Sequence, residues 1–106
     1  MTVCRNDNQW DRSNVRFADG RIVSYNKEQQ TEDMRHIDYG LGVLRASALR
    51  DFPAGEHFEL TSVYQRLLAE DDLAAFEVPG RFYEIGSHTG LAETGAYLSR
   101  KETPAR

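Results

Sequence analysis

Cysteine, long apolar runs and clustered basic residues are all scarce in this 106-residue chain, and each scarcity excludes a class of protein. A single cysteine, Cys4, cannot form an internal disulfide, which fits a reducing cytoplasm. No apolar run approaches the roughly 18 residues of a transmembrane helix, and no signal peptide is visible. The net charge of −4 argues against nucleic acid, whose phosphates are held by clustered Lys and Arg. We therefore expect a cytoplasmic protein that binds neither a membrane nor a nucleic acid.

The composition is that of an ordinary globular domain. Hydrophobic residues make up 40% of the chain and charged residues 28%. A chain of this length buries roughly two-thirds of its unfolded surface, which allows one modest core. Internal repeats and low-complexity tracts are absent. We expect one folded unit over residues 1–100 and a frayed tail at 101–106.

The first part of the chain predicts strands and a hairpin. Residues 1–5 form a candidate strand, and Asp19-Gly20 separates two β-type runs, which is a strong hairpin signal. The pattern leaves open whether the loop has two residues or three with a bulge. Residues 28–35 are polar and predict an exposed loop. Residues 36–44 predict a buried strand, in which Gly40 and Gly42 indicate close approach of a ligand or another backbone.

The second part predicts helices and two further strands. A short helix over Ala46–Arg50 is expected to stop before Pro53. An amphipathic helix follows, and strands are expected over residues 74–77 and 81–85, on either side of a Pro79-Gly80 turn. Ser87 is a candidate N-cap for a final helix. The apolar residues of the amphipathic helix recur at i, i+3, i+4, i+7 and i+8, namely Leu60, Val63, Tyr64, Leu67 and Leu68. The fold class is therefore α/β or α+β, with a mixed sheet and flanking helices.

Glu84 is the first candidate for chemistry. It ends a predicted strand and precedes Gly86-Ser87 and a helix, whose free N–H groups attract anions. A carboxylate there can hold Mg²⁺ through oxygen. The alternative is a solvated acid at the end of a strand, and from the residues alone that alternative is favoured.

Asn14, Lys27 and Asp38 are the other candidates. A lysine suits a phosphate, and an asparagine amide both donates to and accepts from sugar hydroxyls. Ordinary turn and surface roles for Asn14 and Lys27 remain the stronger alternative. Asp38 lies in a mostly apolar run and needs a partner, either the protein or a ligand. The residues contain no zinc-like spacing, no nucleophile elbow and no phosphate-binding Gly-rich loop.

Five segments together resemble a known family. They are Trp10-Asp-Arg-Ser-Asn-Val, Asp19-Gly-Arg-Ile with Lys27, Ile37-Asp-Tyr-Gly, Phe82-Tyr-Glu-Ile-Gly-Ser and Gly90-Leu-Ala-Glu-Thr. In this order they resemble the carboxyl-terminal half of sugar-1-phosphate nucleotidyltransferases over residues 1–99. The closest likeness is to D-glycero-D-manno-heptose 1-phosphate guanylyltransferases, with mannose-1-phosphate guanylyltransferases more distant.

The resemblance implies a partial nucleotidyltransferase fold of the GT-A-like type and a sugar-1-phosphate as ligand. In such enzymes the sugar phosphate attacks the α-phosphorus of a nucleoside triphosphate, with Mg²⁺ bound, and pyrophosphate leaves. By resemblance, Lys27 contacts the sugar phosphate, while Asn14, Asp38 and Gly40 line the sugar pocket. Glu84 stands where the family usually has a metal-binding Asp, one methylene shorter. His88 stands where the family often has proline.

The family's glycine-rich triphosphate loop and its first metal-binding Asp have no counterpart in this chain. We therefore expect it to be inactive alone. One reading is an acceptor half that a separate nucleotide-binding chain completes. The other is a non-catalytic remnant that binds a sugar phosphate or a protein partner, including a second copy of itself. A coincidental motif order in an unrelated α+β interaction domain is the third.

Overall fold

A five-stranded mixed sheet is the centre of the computed structural model, which describes residues 1–102. The spatial order of its strands is β3-β2-β4-β1-β5. Strand β5 runs parallel to β1, and the other neighbours are antiparallel. The strands are β1 (Thr2–Arg5), β2 (Val15–Ala18), β3 (Arg21–Tyr25), β4 (His36–Asp38) and β5 (Phe76–Val78). The helices are a 3-10 helix (Ala46–Leu49), α1 (Leu60–Ala69) and α2 (His88–Glu102). The mixed sheet with two α-helices confirms the α/β class.

The hairpin loop contains two residues. Asp19 and Gly20 have φ values of 54° and 74°, so both are left-handed, as in a type I′ turn. The register shifts between Arg16 and Phe17, because Arg16 pairs with Ser24 while Phe17 pairs with Ile22. This answers the question that the sequence left open: the turn is tight, and the irregularity lies farther along the strands.

The core lies between one face of the sheet and α1. Val3, Val15, Ile22 and Tyr25 from the strands pack with Tyr64 from α1. Val63 and Leu67 of the same helix are also buried, so the predicted amphipathic helix is confirmed. The burial of this apolar stripe holds α1 on the sheet, since a helix of this length is marginal alone.

The predicted buried strand at residues 36–44 is wrong beyond Asp38. Gly40 takes a φ of +94°, which an alternating strand does not allow, and Thr2 then donates its N–H to the carbonyl oxygen of Leu41 at 3.1 Å. Leu41 is 62% exposed and Val43 91% exposed. The close approach predicted at Gly42 is made by a side chain, because a Cβ there would lie 1.9 Å from the hydroxyl oxygen of Tyr64.

The predicted strand at residues 81–85 is also wrong, since the segment has no ladder partner in the described structure. It contacts α2 through side chains instead. The rings of Tyr83 and Tyr97 stack with centroids 4.1 Å apart, and Arg81 pairs with Glu93 at 2.9 Å. Aromatic and ionic contacts therefore replace the strand pairing that the apolar pattern suggested.

The ends of the helices follow the sequence signals. The predicted Ala46–Arg50 helix is a 3-10 helix over Ala46–Leu49. Of the predicted frayed tail, Lys101 and Glu102 belong to α2, and residues 103–106 lie outside the described residues. Within residues 1–102, no helix combines the length and the apolar character needed to cross a membrane.

Candidate functional site

Three of the predicted sugar-pocket residues lie in one hydrogen-bonded network. The Asn14 side-chain oxygen accepts the backbone N–H of Asp38 at 3.1 Å. The Asp38 Oδ1 atom in turn accepts the N–H of Gly40 at 2.9 Å. Strand β4 brings this about, because it lies next to β2, which begins directly after Asn14. The structure thus joins Asn14 to Asp38, which is 24 residues away in sequence, and through Asp38 to the nearby Gly40.

Tyr25 supplies the partner that the partly buried Asp38 requires. Its hydroxyl donates to Asp38 Oδ2 at 3.0 Å, across the sheet from β3. Burial is the main reason why the pKa of Tyr25 is raised, so the phenol stays a donor. The protein therefore satisfies the Asp38 carboxylate by itself, which is the alternative that the sequence left open. Each carboxylate oxygen keeps a second lone pair that can accept a hydroxyl.

Lys27 lies at the border of this network. Its neighbour Asn26 donates its backbone N–H to the carbonyl oxygen of Asn14 at 3.0 Å, which fixes the end of the hairpin beside the network. The Lys27 side chain is exposed and forms no ion pair or hydrogen bond within residues 1–102. Its ammonium is a cation on a flexible stem that can pair with an anion.

Glu84 is tied into the start of α2. Its Oε2 accepts the N–H of Gly86 at 2.6 Å, and its Oε1 accepts the Ser87 hydroxyl at 2.7 Å. The Ser87 oxygen accepts the N–H of Gly90 at 3.0 Å, so Ser87 is the predicted N-cap. The hydroxyl bond from Ser87, with the Gly86 N–H second, lowers the pKa of Glu84. The helix N-terminus, where a ligand anion was expected, thus holds a carboxylate of the chain itself.

A metal ion at Glu84 remains a prediction. The described residues contain no group of three His, Cys, Asp or Glu side chains that is close enough to hold an ion. The hydrogen bonds of Glu84 go to Gly86, Ser87 and Thr94, and none goes to Asn14 or Asp38. Glu84 is therefore a single carboxylate outside the Asn14 network.

Sequence reasoning missed a buried polar cluster in the loop that precedes β2. Asn6 is only 1% exposed, and its amide nitrogen donates to the Asp11 carbonyl at 2.7 Å and to the Ser13 hydroxyl at 3.0 Å. Asp7 and Asn8 are left-handed, with φ of 47° and 60°. The adjacent Asp7 and Asn8 were a usable sequence signal for this turn, because Asp and Asn adopt the left-handed conformation more readily than other residues with side chains. The cluster fixes the backbone that leads into Asn14.

Arg81 was also missed, and it connects three segments. Its guanidinium carbon lies 4.7 Å from the ring centroid of Trp10 and 4.2 Å from that of Tyr83. Trp10 belongs to the loop before β2, while Tyr83 stacks on α2 through Tyr97. Cation–π contacts of this kind stabilise by about 0.5–1 kcal/mol at exposed sites. Arg81 therefore connects α2 with the loop that precedes Asn14.

An open groove of about 700 Å³ lies elsewhere, between the hairpin turn, the 3-10 helix and the end of α1. None of the five predicted site residues lines it. Its walls combine apolar residues, such as Leu44 and Leu73, with several charged side chains. We place more weight on the Asn14 network for small-molecule chemistry, because its polar groups converge, whereas the groove is broad and open.

Comparisons with known proteins do not assign the chain to a family. No family model, no curated protein and no solved structure matches it. The resemblance to nucleotidyltransferases therefore depends on the five segments themselves. Of these segments, those containing Asn14 and Asp38 share a hydrogen bond, whereas Glu84 lies outside that network.

Proposed function

We propose that this chain is the sugar-phosphate-binding part of a sugar-1-phosphate nucleotidyltransferase and is inactive alone. The supporting observation is that Asn14, Asp38 and Gly40 share one hydrogen-bonded network with Lys27 at its border. These are the four residues to which the resemblance assigns substrate contacts. Asn14 and Asp38, 24 residues apart in sequence, are brought together by the pairing of β2 with β4.

The chemistry of these groups suits a sugar phosphate. Lys27 offers an unpaired cation to the phosphate, and the Asn14 amide and the Asp38 oxygens offer bonds to hydroxyls. Both polar groups are held in place before the ligand arrives, which lowers the entropic cost of binding. The role of this chain is to hold and orient the sugar phosphate whose oxygen attacks the α-phosphorus of a triphosphate.

Mg²⁺ enters the proposal only through Glu84. This ion is commonly bound by one or two carboxylates together with substrate phosphates, so a single carboxylate is compatible with it. The metal would neutralise charge on the triphosphate. Residues 1–106 contain no glycine-rich triphosphate loop, so a nucleotide-binding part outside these residues would complete such a site.

A titration with glucose 1-phosphate and mannose 1-phosphate, with and without Mg²⁺, tests the proposal through amide chemical shifts. We expect shifts at Asn14, Lys27 and Gly40. Lys27→Gln should weaken binding about tenfold, in line with the loss of one charge-assisted contact. Lys101→Gln, which removes the same charge from α2, is the matched control and should bind like the parent chain.

A well-dispersed spectrum without shifts at Asn14 or Lys27 would contradict this function. The alternative, a non-catalytic remnant that serves as a binding or protein-interaction module, would then be favoured. One observation already supports that alternative. Ten large hydrophobic side chains of the described residues are exposed, and Val43, Ile85 and Phe76 are at least two-thirds exposed.

A further inference from the structure

The hydroxyl of Tyr64 is a polar group that the chain itself does not bond, although the side chain is almost completely buried. Tyr64 is 3% exposed, yet its hydroxyl oxygen forms no hydrogen bond within residues 1–102. No side-chain nitrogen or oxygen of the described residues is both buried and unbonded, so this hydroxyl opens onto the surface. Polar groups in protein interiors are nearly always paired, and one that reaches the surface unpaired is available to water or to a ligand.

Gly42 leaves the space that this hydroxyl occupies. A Cβ at position 42 would lie 1.9 Å from the Tyr64 hydroxyl oxygen and 3.2 Å from the ring carbon Cζ. The φ of Gly42 is not left-handed, so its backbone conformation does not require glycine. Glycine is needed here for space, and the hydroxyl takes most of that space, because a ring without it would meet the Cβ only at 3.2 Å.

Tyr64 lies beside the network around Asp38. Its ring centroid is 6.2 Å from that of Tyr25, whose hydroxyl donates to Asp38. Gly42, which the Tyr64 hydroxyl contacts, follows Gly40 by two residues, and Gly40 donates its N–H to Asp38. Burial and, second, the charge of Asp38 raise the pKa of Tyr64, so the phenol stays protonated and can donate.

Asn14 supplies a second unbonded donor in this network. Its Oδ1 atom accepts the backbone N–H of Asp38, which fixes which end of the amide is the nitrogen. That nitrogen forms no hydrogen bond within the described residues, although Asn14 is only 9% exposed. The site thus offers the donors of Asn14 and Tyr64 and the spare lone pairs of Asp38. A sugar hydroxyl, which both donates and accepts, fits this set, whereas a phosphate only accepts and is repelled by the carboxylate.

We propose that Tyr64 is a further ligand-contacting residue of the Asp38 site, where its hydroxyl bonds a sugar hydroxyl of the bound sugar phosphate. This inference rests on the proposed function and adds a residue of α1, a helix to which the family resemblance assigns no contact. Gly42 then serves the ligand indirectly, because it leaves room for the Tyr64 hydroxyl.

Calorimetric titration of the full chain with mannose 1-phosphate and glucose 1-phosphate tests this contact in Tyr64→Phe. We expect the Kd of the sugar phosphate that binds the parent chain to rise about fivefold, the effect of losing one neutral hydrogen bond. The midpoint of urea unfolding should stay unchanged, because the hydroxyl has no partner within the described chain. Tyr97→Phe, which removes a hydroxyl from α2 where the ring stacks on Tyr83, is the matched control and should bind like the parent chain.

Gly42→Ala provides the second measurement. Its Cβ should displace the Tyr64 hydroxyl and weaken binding, whereas in the Tyr64→Phe background the same change should weaken binding little further. An unchanged Kd or a lowered unfolding midpoint in Tyr64→Phe, or an equal loss from Gly42→Ala in both backgrounds, would overturn the contact at Tyr64. In each of these cases binding by the parent chain would still support the proposed function. A parent chain that binds neither sugar phosphate would overturn the proposed function and this inference together.

Discussion

Replacing Gly90 with alanine has two opposing effects on the stability of the chain, a gain in helix propensity and a steric clash. Gly90 lies in the first turn of α2, where alanine favours the helix by about 1 kcal/mol. A Cβ at this position would lie 1.9 Å from Oε1 of Glu84 and 2.5 Å from its backbone oxygen. The side chain can turn away, but the backbone oxygen can move only if the segment before α2 shifts.

The shift is costly because Glu84 holds this segment. Its carboxylate accepts hydrogen bonds from Gly86 and Ser87, and its carbonyl accepts one from Thr94 at 3.1 Å. Overpacking of this kind typically costs about 1–3 kcal/mol, and each bond that is lost adds about 0.5–1.5 kcal/mol. After the helix gain is subtracted, we expect Gly90→Ala to lower the free energy of unfolding by about 1–2 kcal/mol. The melting temperature should fall by roughly 5–10 °C.

Gly95→Ala is the matched control in the same helix. No atom lies within 4 Å of a Cβ at Gly95, so only the helix propensity changes there. We expect stabilisation by up to about 1 kcal/mol. Urea unfolding followed by circular dichroism, with amide exchange of α2 as a local readout, measures both variants.

A Gly90→Ala variant as stable as Gly95→Ala would refute the reasoning, because Glu84 would then not be packed against the helix. The Glu84→Ala background supplies an independent check. There the carboxylate's bonds with Gly86 and Ser87 are already lost, so the same glycine substitution should cost about 1 kcal/mol less. Equal costs in the two backgrounds would show that the carboxylate plays no part.

Three further predictions concern the core and the titrating groups. Tyr25→Phe removes the donor to Asp38 and should destabilise the chain by about 1–2 kcal/mol in urea unfolding, and no loss would mean that solvent replaces the hydroxyl. Glu84→Gln should flatten the pH dependence of the melting temperature below about pH 4.3, the pKa of Glu in an unfolded chain. The pKa of Glu84 is lowered in the folded chain, so the ionised carboxylate stabilises the fold above the unfolded pKa. This stabilisation is lost as the pH falls through the folded pKa. Ser87→Ala should flatten the same pH dependence in part. Melting temperatures that depend on pH equally in the parent and in both variants would contradict this role of Glu84. Val63→Ala, at a position with 0% exposure, should cost about 2 kcal/mol in the same unfolding assay, and a cost below about 0.5 kcal/mol would show that the core collapses to fill the cavity.

The candidate site was only partly visible in the sequence. Asn14, Asp38 and Gly40 were named from residue type and motif order, and nothing local indicates that Asn14 bonds Asp38. The contact between Asn14 and Asp38 depends on β4 lying next to β2, which is a long-range pairing. The role of Tyr25 depends on the same pairing, since its hydroxyl reaches Asp38 only across the sheet.

The two wrong strands have a common physical origin. Runs of apolar residues at 36–44 and 81–85 predict burial, and a local pattern cannot tell whether a partner strand is present. In the first run the positive φ of Gly40 interrupts the regular strand although Thr2 still bonds Tyr39 and Leu41, and in the second Tyr83 stacks on a helix. Local β preference is weak, and the packing environment overrides it.

The sequence by itself determined those features of the structure that have local causes. The Asp19-Gly20 turn, the apolar stripe of α1 and the Ser87 cap each follow from a few neighbouring residues, because glycine freedom, helical period and capping act over one or two turns. Only the tertiary structure decided the strand order, the network around Asp38 and the groove between the hairpin turn, the 3-10 helix and α1. These depend on contacts between residues distant in sequence, and their free energy comes from packing that no short segment contains.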